Sequence, residues 1–248
     1  MLKLVAFGVA AGTLVFGAAA AWNAFRPGGE GNPKGEEPFV CGIPSSGLAE
    51  DSAAGDGGTT ITYAVVSQGG VKTNLEEFAC AAAKVLTDQN GWSRAGLVFE
   101  QVGGAGSAGP VGPVGPAGPA GPAGPAGPAG PADMVLVLAT ADQLPTFDPD
   151  CSPEYSCRVG QHVVINEDRW LEGTAASASW GWDSKTYHAM AINHEVGHFL
   201  GLDHTGCPAE GAAAPLMMQQ SKGLDGCAPN PYPLDDEAAQ VASIWGTR

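Results

Sequence analysis

The sequence predicts one domain of the α+β class, because segments with strand composition and segments with helical spacing follow one another from residue 59 onward. Four segments have the β-branched or aliphatic content of strands: residues 60–66, 97–102, 134–139 and 161–166. Residues 74–86 carry apolar side chains at helical spacing, and Asn74 is a suitable N-cap. A histidine-bearing segment at 194–204 predicts a second helix.

Length and charge limit the possible functions. The 248 residues suffice for one moderate domain with an N-terminal appendage, and a hydrophobic fraction of 44% is enough for a packed core. The net charge of −15 comes from 26 acidic and 11 basic residues. This balance argues against a nucleic-acid partner, which requires a basic face, and disfavours binding to an anionic membrane surface.

Residues 1–26 have the features of an export signal or a membrane anchor. Lys3 precedes the uncharged run 4–25, which as a helix would be about 33 Å long and could cross a bilayer. The small residues 18–21 also suit a signal-peptidase site. The length of the run favours an uncleaved anchor. In either case the remainder is expected outside the cytoplasm, membrane-anchored or secreted.

Residues 27–58 are rich in Gly, Pro and acids and are predicted to link the N-terminal segment to a domain spanning 59–248. Within that domain, residues 109–132 repeat Gly-Pro-Val or Gly-Pro-Ala with the period of collagen. We expect a surface loop with polyproline II character instead of a triple helix. Both ends of the tract are tied into one domain, between two strands that are expected to be neighbours. The chain is therefore expected to be monomeric.

Six cysteines fit an oxidising compartment, and their even number suits three disulfides. Proximity along the chain suggests the pairs Cys151–Cys157 and Cys207–Cys227, which leaves Cys41 with Cys80. The alternative of a zinc site built on cysteines lacks a C-x-x-C spacing to support it.

The segment 194–204 has the spacing H-E-x-x-H-x-x-G-x-x-H. His194 and His198 are four residues apart, so a helix places both rings on one face, where they can bind one zinc ion. Gly201 can take a positive φ, end the helix and return His204 to the metal as third ligand. Three protein ligands leave a position for water, and Glu195 is predicted to be the general base that takes its proton.

A methionine downstream extends the motif. Met217 lies in Ala-Pro-Leu-Met, thirteen residues after His204 (217 − 204), and the combination resembles the metzincin clan of zinc peptidases. The resemblance implies a twisted sheet with an active-site helix, a small irregular C-terminal subdomain, and a methionine beneath the metal, with Met218 as the alternative. It also implies Zn²⁺ and a peptide or protein substrate. Some metzincins carry a tyrosine two residues after this methionine, where this chain has Gln219.

Residues 155–232 resemble more closely a bacterial secreted family that has no assigned substrate. The segments that carry this resemblance are Tyr-Ser-Cys-Arg at 155–158, Val-Val-Ile-Asn at 163–166, Asn-His-Glu-Val-Gly-His at 193–198, Met-Gln-Gln at 218–220 and Gly-Leu-Asp-Gly-Cys at 223–227. It supports the zinc site and leaves the collagen-like tract unexplained.

Other interpretations remain open at this point. The zinc could be structural in a non-catalytic cell-surface protein with a collagen-like loop, although Glu195 would then have no purpose. An amidase acting on cell-wall peptides would use the same motif. The segment around Cys41 resembles in part a metzincin propeptide whose cysteine occupies the fourth zinc position, with disulfide pairing as the alternative. His162 and His188 are expected to be surface residues and not ligands.

Overall fold

The computed structural model describes residues 58–103, 105–107 and 132–246. The predicted N-terminal signal or anchor, the linker up to residue 57, Cys41 and the collagen-like tract up to residue 131 lie outside the described residues. Over those residues the chain is α+β, with a mixed sheet packed against helices.

The sheet has the strand order β2-β1-β4-β6-β5, and the short β3 extends the edge of β1. Its strands are β1 (Thr59–Gln68), β2 (Leu97–Gln101), β3 (Gly106–Ser107), β4 (Met134–Ala139), β5 (Cys157–Val159) and β6 (His162–Asn166). All pairings are parallel except that of β5, which runs antiparallel to β6 at one edge. Parallel strands need covered faces, so the central strands β1, β4 and β6 are rich in buried aliphatic residues.

The four predicted strands are present, but one expected neighbour relationship is wrong. β2 and β4 do not pair with each other, because β1 lies between them and pairs with both. Val66 pairs with Gly106 of β3 and also with Val137 of β4, so β2 and β3 lie on one side of β1 and β4 on the other. The connection that includes the collagen-like tract therefore joins strands on opposite sides of β1.

Over the described ranges, six α-helices accompany the sheet: α1 (Leu75–Leu86), α2 (Leu144–Phe147), α3 (Glu167–Glu172), α4 (Ala175–Ser179), α5 (Ser184–Phe199) and α6 (Asp235–Trp245). The side chain of Asn74 accepts hydrogen bonds from the backbone N–H groups of Glu76 and Glu77, as its position before α1 predicts. The longest helix is α5, with 16 residues, and the side chain of Asp183 caps it.

The main core lies between the sheet and helices α1 and α5. Ile61, Leu136 and Ile165 from the sheet are fully buried, as are Ile192 and Val196 from α5. Ile192 and Val196 thus form a core face of α5. The helix is nevertheless buried on most of its circumference, because Asn193, His194 and Glu195 are buried as well.

Two predicted disulfides, Cys151–Cys157 and Cys207–Cys227, are confirmed. Cys80 is disulfide-bonded as well, and its expected pairing with Cys41 stays a prediction. The disulfides suggest an extracytoplasmic protein. Among the described residues, no helix is long and apolar enough to cross a membrane.

Candidate metal centre

Three histidines converge at the C-terminal end of α5. His194 and His198 are one helical turn apart on α5, and their ring centroids are 4.9 Å from each other. The helix ends at Phe199, and Gly201 then takes a φ of 102°, which favours glycine. The chain turns back there and brings the ring of His204 within 4.5 Å of the His198 ring, centroid to centroid.

Backbone carbonyls determine which ring nitrogens face the centre. Nδ1 of His194 lies 2.8 Å from the carbonyl oxygen of Leu216, and Nδ1 of His198 lies 2.8 Å from that of Leu202. A carbonyl only accepts, so each Nδ1 carries the proton and each Nε2 presents a lone pair. Nε2 of His204 lies 3.3 Å from Nε2 of His194 and 2.9 Å from Nε2 of His198.

This arrangement fits a metal ion and fits hydrogen bonding poorly. A neutral His204 can donate one N–H from Nε2, so it can satisfy only one of the two lone pairs that face it. One cation would satisfy all three nitrogens, which lie within 4.8 Å of one another. Burial lowers the pKa of all three histidines, to about 3 for His194, which keeps the rings neutral and able to bind a metal. The cluster can therefore hold a metal ion.

Glu195 follows the first histidine and faces the same cleft. Its side chain is buried, and desolvation raises the pKa of its carboxyl to about 8, an effect that the positive charge of Arg158 partly opposes. A cation held by the three histidines would lower this pKa further, because it would favour the carboxylate. Among the described residues none donates a hydrogen bond to the Glu195 side chain, although it lines the cleft.

Met217 packs directly against α5 at Gly197. A Cβ atom built on Gly197 would overlap Sδ of Met217 and would lie 3.0 Å from Cζ2 of Trp92. Gly197 therefore permits the close approach of all three groups. Nε1 of Trp92 donates a hydrogen bond of 2.9 Å to the carbonyl of Asn193, inside the core. Met217 and Trp92 together determine how closely α5 packs against the core.

A buried carboxylate from α6 holds the methionine segment. Glu237 is 6% exposed and accepts hydrogen bonds from the backbone N–H groups of Leu216 (3.0 Å), Met217 (2.8 Å) and Leu234 (2.8 Å). The carbonyl of Leu216 in turn accepts the His194 Nδ1–H bond. Sequence analysis did not connect Glu237 with the methionine segment. Its position three residues after Leu234, as in a capping box, was the available signal.

A cleft of about 330 Å³ lies over the histidines and Glu195. The antiparallel strand β5 supplies one part of its lining through Arg158, and the 3₁₀ turn Gln220–Lys222 supplies another. Gln219 and Tyr187 also line this cleft. Sequence reasoning missed β5 and Arg158, because three residues between two turns carry no readable periodicity.

The other two histidines lie elsewhere. Nε2 of His188 is 2.7 Å from the carbonyl oxygen of Trp170, and its ring stacks on the indole at a centroid distance of 3.5 Å. His162 is on β6 near Phe147. Neither belongs to the metal cluster. Tyr232 donates a hydrogen bond to Asp88 and does not line the cleft.

Comparison with known proteins finds a similarity to one family model over part of the chain and indicates no activity. Residues 130–242 match the model of a family described as a protein of unknown function, DUF3152. No curated protein matches the chain. The matched segment contains the three histidines, Glu195, Met217 and Glu237, whereas β1, β2 and Trp92 precede it.

Proposed function

We propose that the chain is an extracytoplasmic zinc-dependent peptidase that hydrolyses peptide bonds in a peptide or protein substrate. His194, His198 and His204 would hold the metal, and Glu195 would act as the general base. The observation that carries this proposal is the convergence of three neutral histidine nitrogens next to a buried carboxylate in an open cleft.

The donor set favours zinc. Three imidazole nitrogens without a protein carboxylate or thiolate are a common catalytic zinc set, and structural zinc sites usually have four protein ligands. When bound, zinc supplies a Lewis acid that polarises a carbonyl group and lowers the pKa of water. The two Nδ1–H bonds to backbone carbonyls orient His194 and His198 before a metal arrives, which should raise the affinity of the site.

Glu195 has the properties that a general base needs. Its carboxylate adjoins a ligand histidine, lines the cleft, and has a pKa shifted toward neutrality by burial. The ionised form would accept a proton from the attacking water. The same carboxyl group would then donate that proton to the leaving amine, so that Glu195 ends the cycle in the state in which it began.

Two alternatives use the same residues. In a purely structural zinc site the carboxylate of Glu195 would have no function, although burying it costs free energy. An amidase acting on cell-wall peptides would share the chemistry and differ in substrate. We further propose a monomer without a nucleic-acid partner, and the N-terminal segment as signal or membrane anchor. Light scattering of the purified protein tests the monomer.

The decisive test is cleavage of a diverse peptide mixture by the full chain, read by mass spectrometry, together with the metal content of each protein. Glu195→Gln should retain zinc and lose cleavage by about a hundredfold or more, because the amide cannot accept the proton. His204→Ala should lose the metal with little effect on folding, since His204 is exposed. His188→Ala removes a histidine outside the cluster and should keep the metal. Equal cleavage by wild type and Glu195→Gln would refute the proposal.

A further inference from the structure

Two cations line the cleft of a strongly acidic chain. Arg158 and Lys222 both line it, together with the histidines and Glu195, although the whole chain has 11 basic residues against 26 acidic ones. The acidic residues that line the same cleft are Asp150 and Glu195. A net charge of −15 repels anionic ligands in general, whereas in this cleft the number of cationic residues equals the number of acidic ones.

No side chain in the described part of the chain pairs with Arg158 in a way that accounts for its position. It lies on β5, is half-buried, and its Nε atom is enclosed by protein without a hydrogen-bond partner. Within the described part of the chain, no carboxylate forms an ion pair with it. It lines the cleft together with Glu195 and His198, so it lies close to the metal centre. Withdrawing part of a guanidinium from water without a partner is costly, and a carboxylate from a ligand would offset that cost.

Lys222 is the more exposed of the two cations. Its Nζ lies 5.4 Å from the centroid of the Tyr155 ring, and it lines the cleft together with His194 and His204. It also lines a second depression of about 240 Å³, which shares His204 and Gln219 with the main cleft. Lys222 therefore lies where a chain extending beyond the metal centre would pass.

We propose that the cleft binds a carboxylate of its peptide substrate, with Arg158 as the main contact and Lys222 as a second positive charge. This proposal rests on the proposed peptidase function and names its substrate class: peptides with an acidic side chain or a free C-terminal carboxylate close to the cleaved bond. Arginine suits this task because its planar group can bind both oxygens of a carboxylate.

The test uses four versions of one peptide that the full-length wild type cleaves: with Glu or Gln near the cleaved bond, and with a free or an amidated C-terminus. Wild type should cleave the carboxylate forms at least about tenfold faster in kcat/KM, mainly through KM, because the contact is made before the reaction. Arg158→Gln should abolish this preference, so that all four peptides are cleaved with similar kcat/KM. Lys222→Gln should reduce the preference, and Lys185→Gln, which removes an exposed lysine on α5, should not change it.

A binding measurement separates this inference from the peptidase proposal. Calorimetry with the full-length Glu195→Gln protein loaded with zinc should show tighter binding of the carboxylate peptides, and Arg158→Gln in that background should remove the difference. If that dependence on Arg158 holds while wild type cleaves no peptide, the carboxylate site stands and the peptidase proposal fails.

The experiment distinguishes three cases. A preference that follows Glu against Gln identifies a side-chain carboxylate, and one that follows amidation identifies the C-terminus. If Arg158→Gln lowers kcat equally for all four peptides and shifts the pH profile, Arg158 only adjusts Glu195 and the carboxylate proposal is wrong.

Discussion

The carboxylate of Glu237 binds the backbone of the Met217 segment. Its Oε1 accepts a hydrogen bond from the N–H of Met217 at 2.8 Å, and its Oε2 accepts one from the N–H of Leu216 at 3.0 Å. The carbonyl of Leu216 then receives the Nδ1–H of His194. One buried acid in the last helix thus supports the segment that orients a metal ligand.

Replacing Glu237 by Gln should weaken both the fold and the metal site. The amide keeps one acceptor oxygen but turns an NH₂ group toward backbone donors, so at least one buried hydrogen bond is lost. We expect the free energy of unfolding to fall by about 2 kcal/mol, and zinc affinity to fall by about tenfold. Urea unfolding and zinc titration measure the two effects. Glu76→Gln makes the same change at an exposed helix start and should alter neither quantity.

Glu195 should make the metal-free protein less stable as the pH rises. The unfolded carboxyl ionises near 4.5, whereas burial raises its folded pKa to about 8. Between these values the folded state holds a proton that the unfolded state has lost. Stability from this group is therefore present below 4.5 and decreases toward pH 8, with a slope of up to about 1.4 kcal/mol per pH unit. Unfolding in a chelator should show a flatter profile for Glu195→Gln, and identical profiles would contradict the prediction.

Protonation of His194 changes the stability of the metal-free protein in the opposite direction, over a lower pH range. Its folded pKa is lowered from 6.5 to about 3, so the unfolded state binds the proton first as the pH falls. The stability that neutral His194 contributes is complete above 6.5 and is lost as the pH falls toward 3. In metal-free protein we expect Glu195→Gln to become clearly less stable through this range, because the compensating change at Glu195 is absent.

Gly197→Ala should destabilise the protein by pushing Met217 and Trp92 out of place. The added methyl overlaps Sδ of Met217, and overpacking of this kind costs about 1–3 kcal/mol. Met217→Ala also destabilises, by opening a cavity. The double variant should be more stable than the sum of the two losses predicts, since one change makes room for the other. Simple additivity in urea unfolding would show that the two residues do not compete for this space.

The Cys207–Cys227 disulfide closes the segment that carries Met217 and Lys222. The two cysteines are 20 residues apart, and opening a ring of that size costs about 3 kcal/mol in the chain-entropy model. Replacing both by Ser should lower stability and weaken zinc binding, because Leu216 then holds His194 less firmly. Replacing Cys151 and Cys157, which are six residues apart, should change zinc affinity less. A larger effect from the second pair would refute this prediction.

The metal centre was predictable because its geometry is local. Helical periodicity alone places His194 and His198 on one face, and Gly201 allows the turn that returns His204. Asn74 is equally local, since its cap depends on the next three residues. Arg158 and Glu237 were missed because their roles arise from contacts between segments distant in sequence. Glu237 reaches Met217 across 20 residues, and Arg158 reaches Glu195 through the pairing of β5 with β6.

The order of strands was also beyond sequence reasoning. Amino-acid composition identified β2 and β4 correctly, but the sequence of neither segment indicates that β1 lies between them. Strand pairing depends on how the faces of the whole sheet are covered, and short apolar segments do not specify a neighbour.

The central place of β1 has a consequence for truncated versions of the protein. A chain cut to residues 130–242, the part that the family model matches, would lack β1, β2, α1 and Trp92. β4 would then expose an unpaired edge, and α5 would lose the indole that binds the Asn193 carbonyl. The segment that the family model matches is thus not a unit of folding, and a stable fragment should include all of β1 from Thr59 onward.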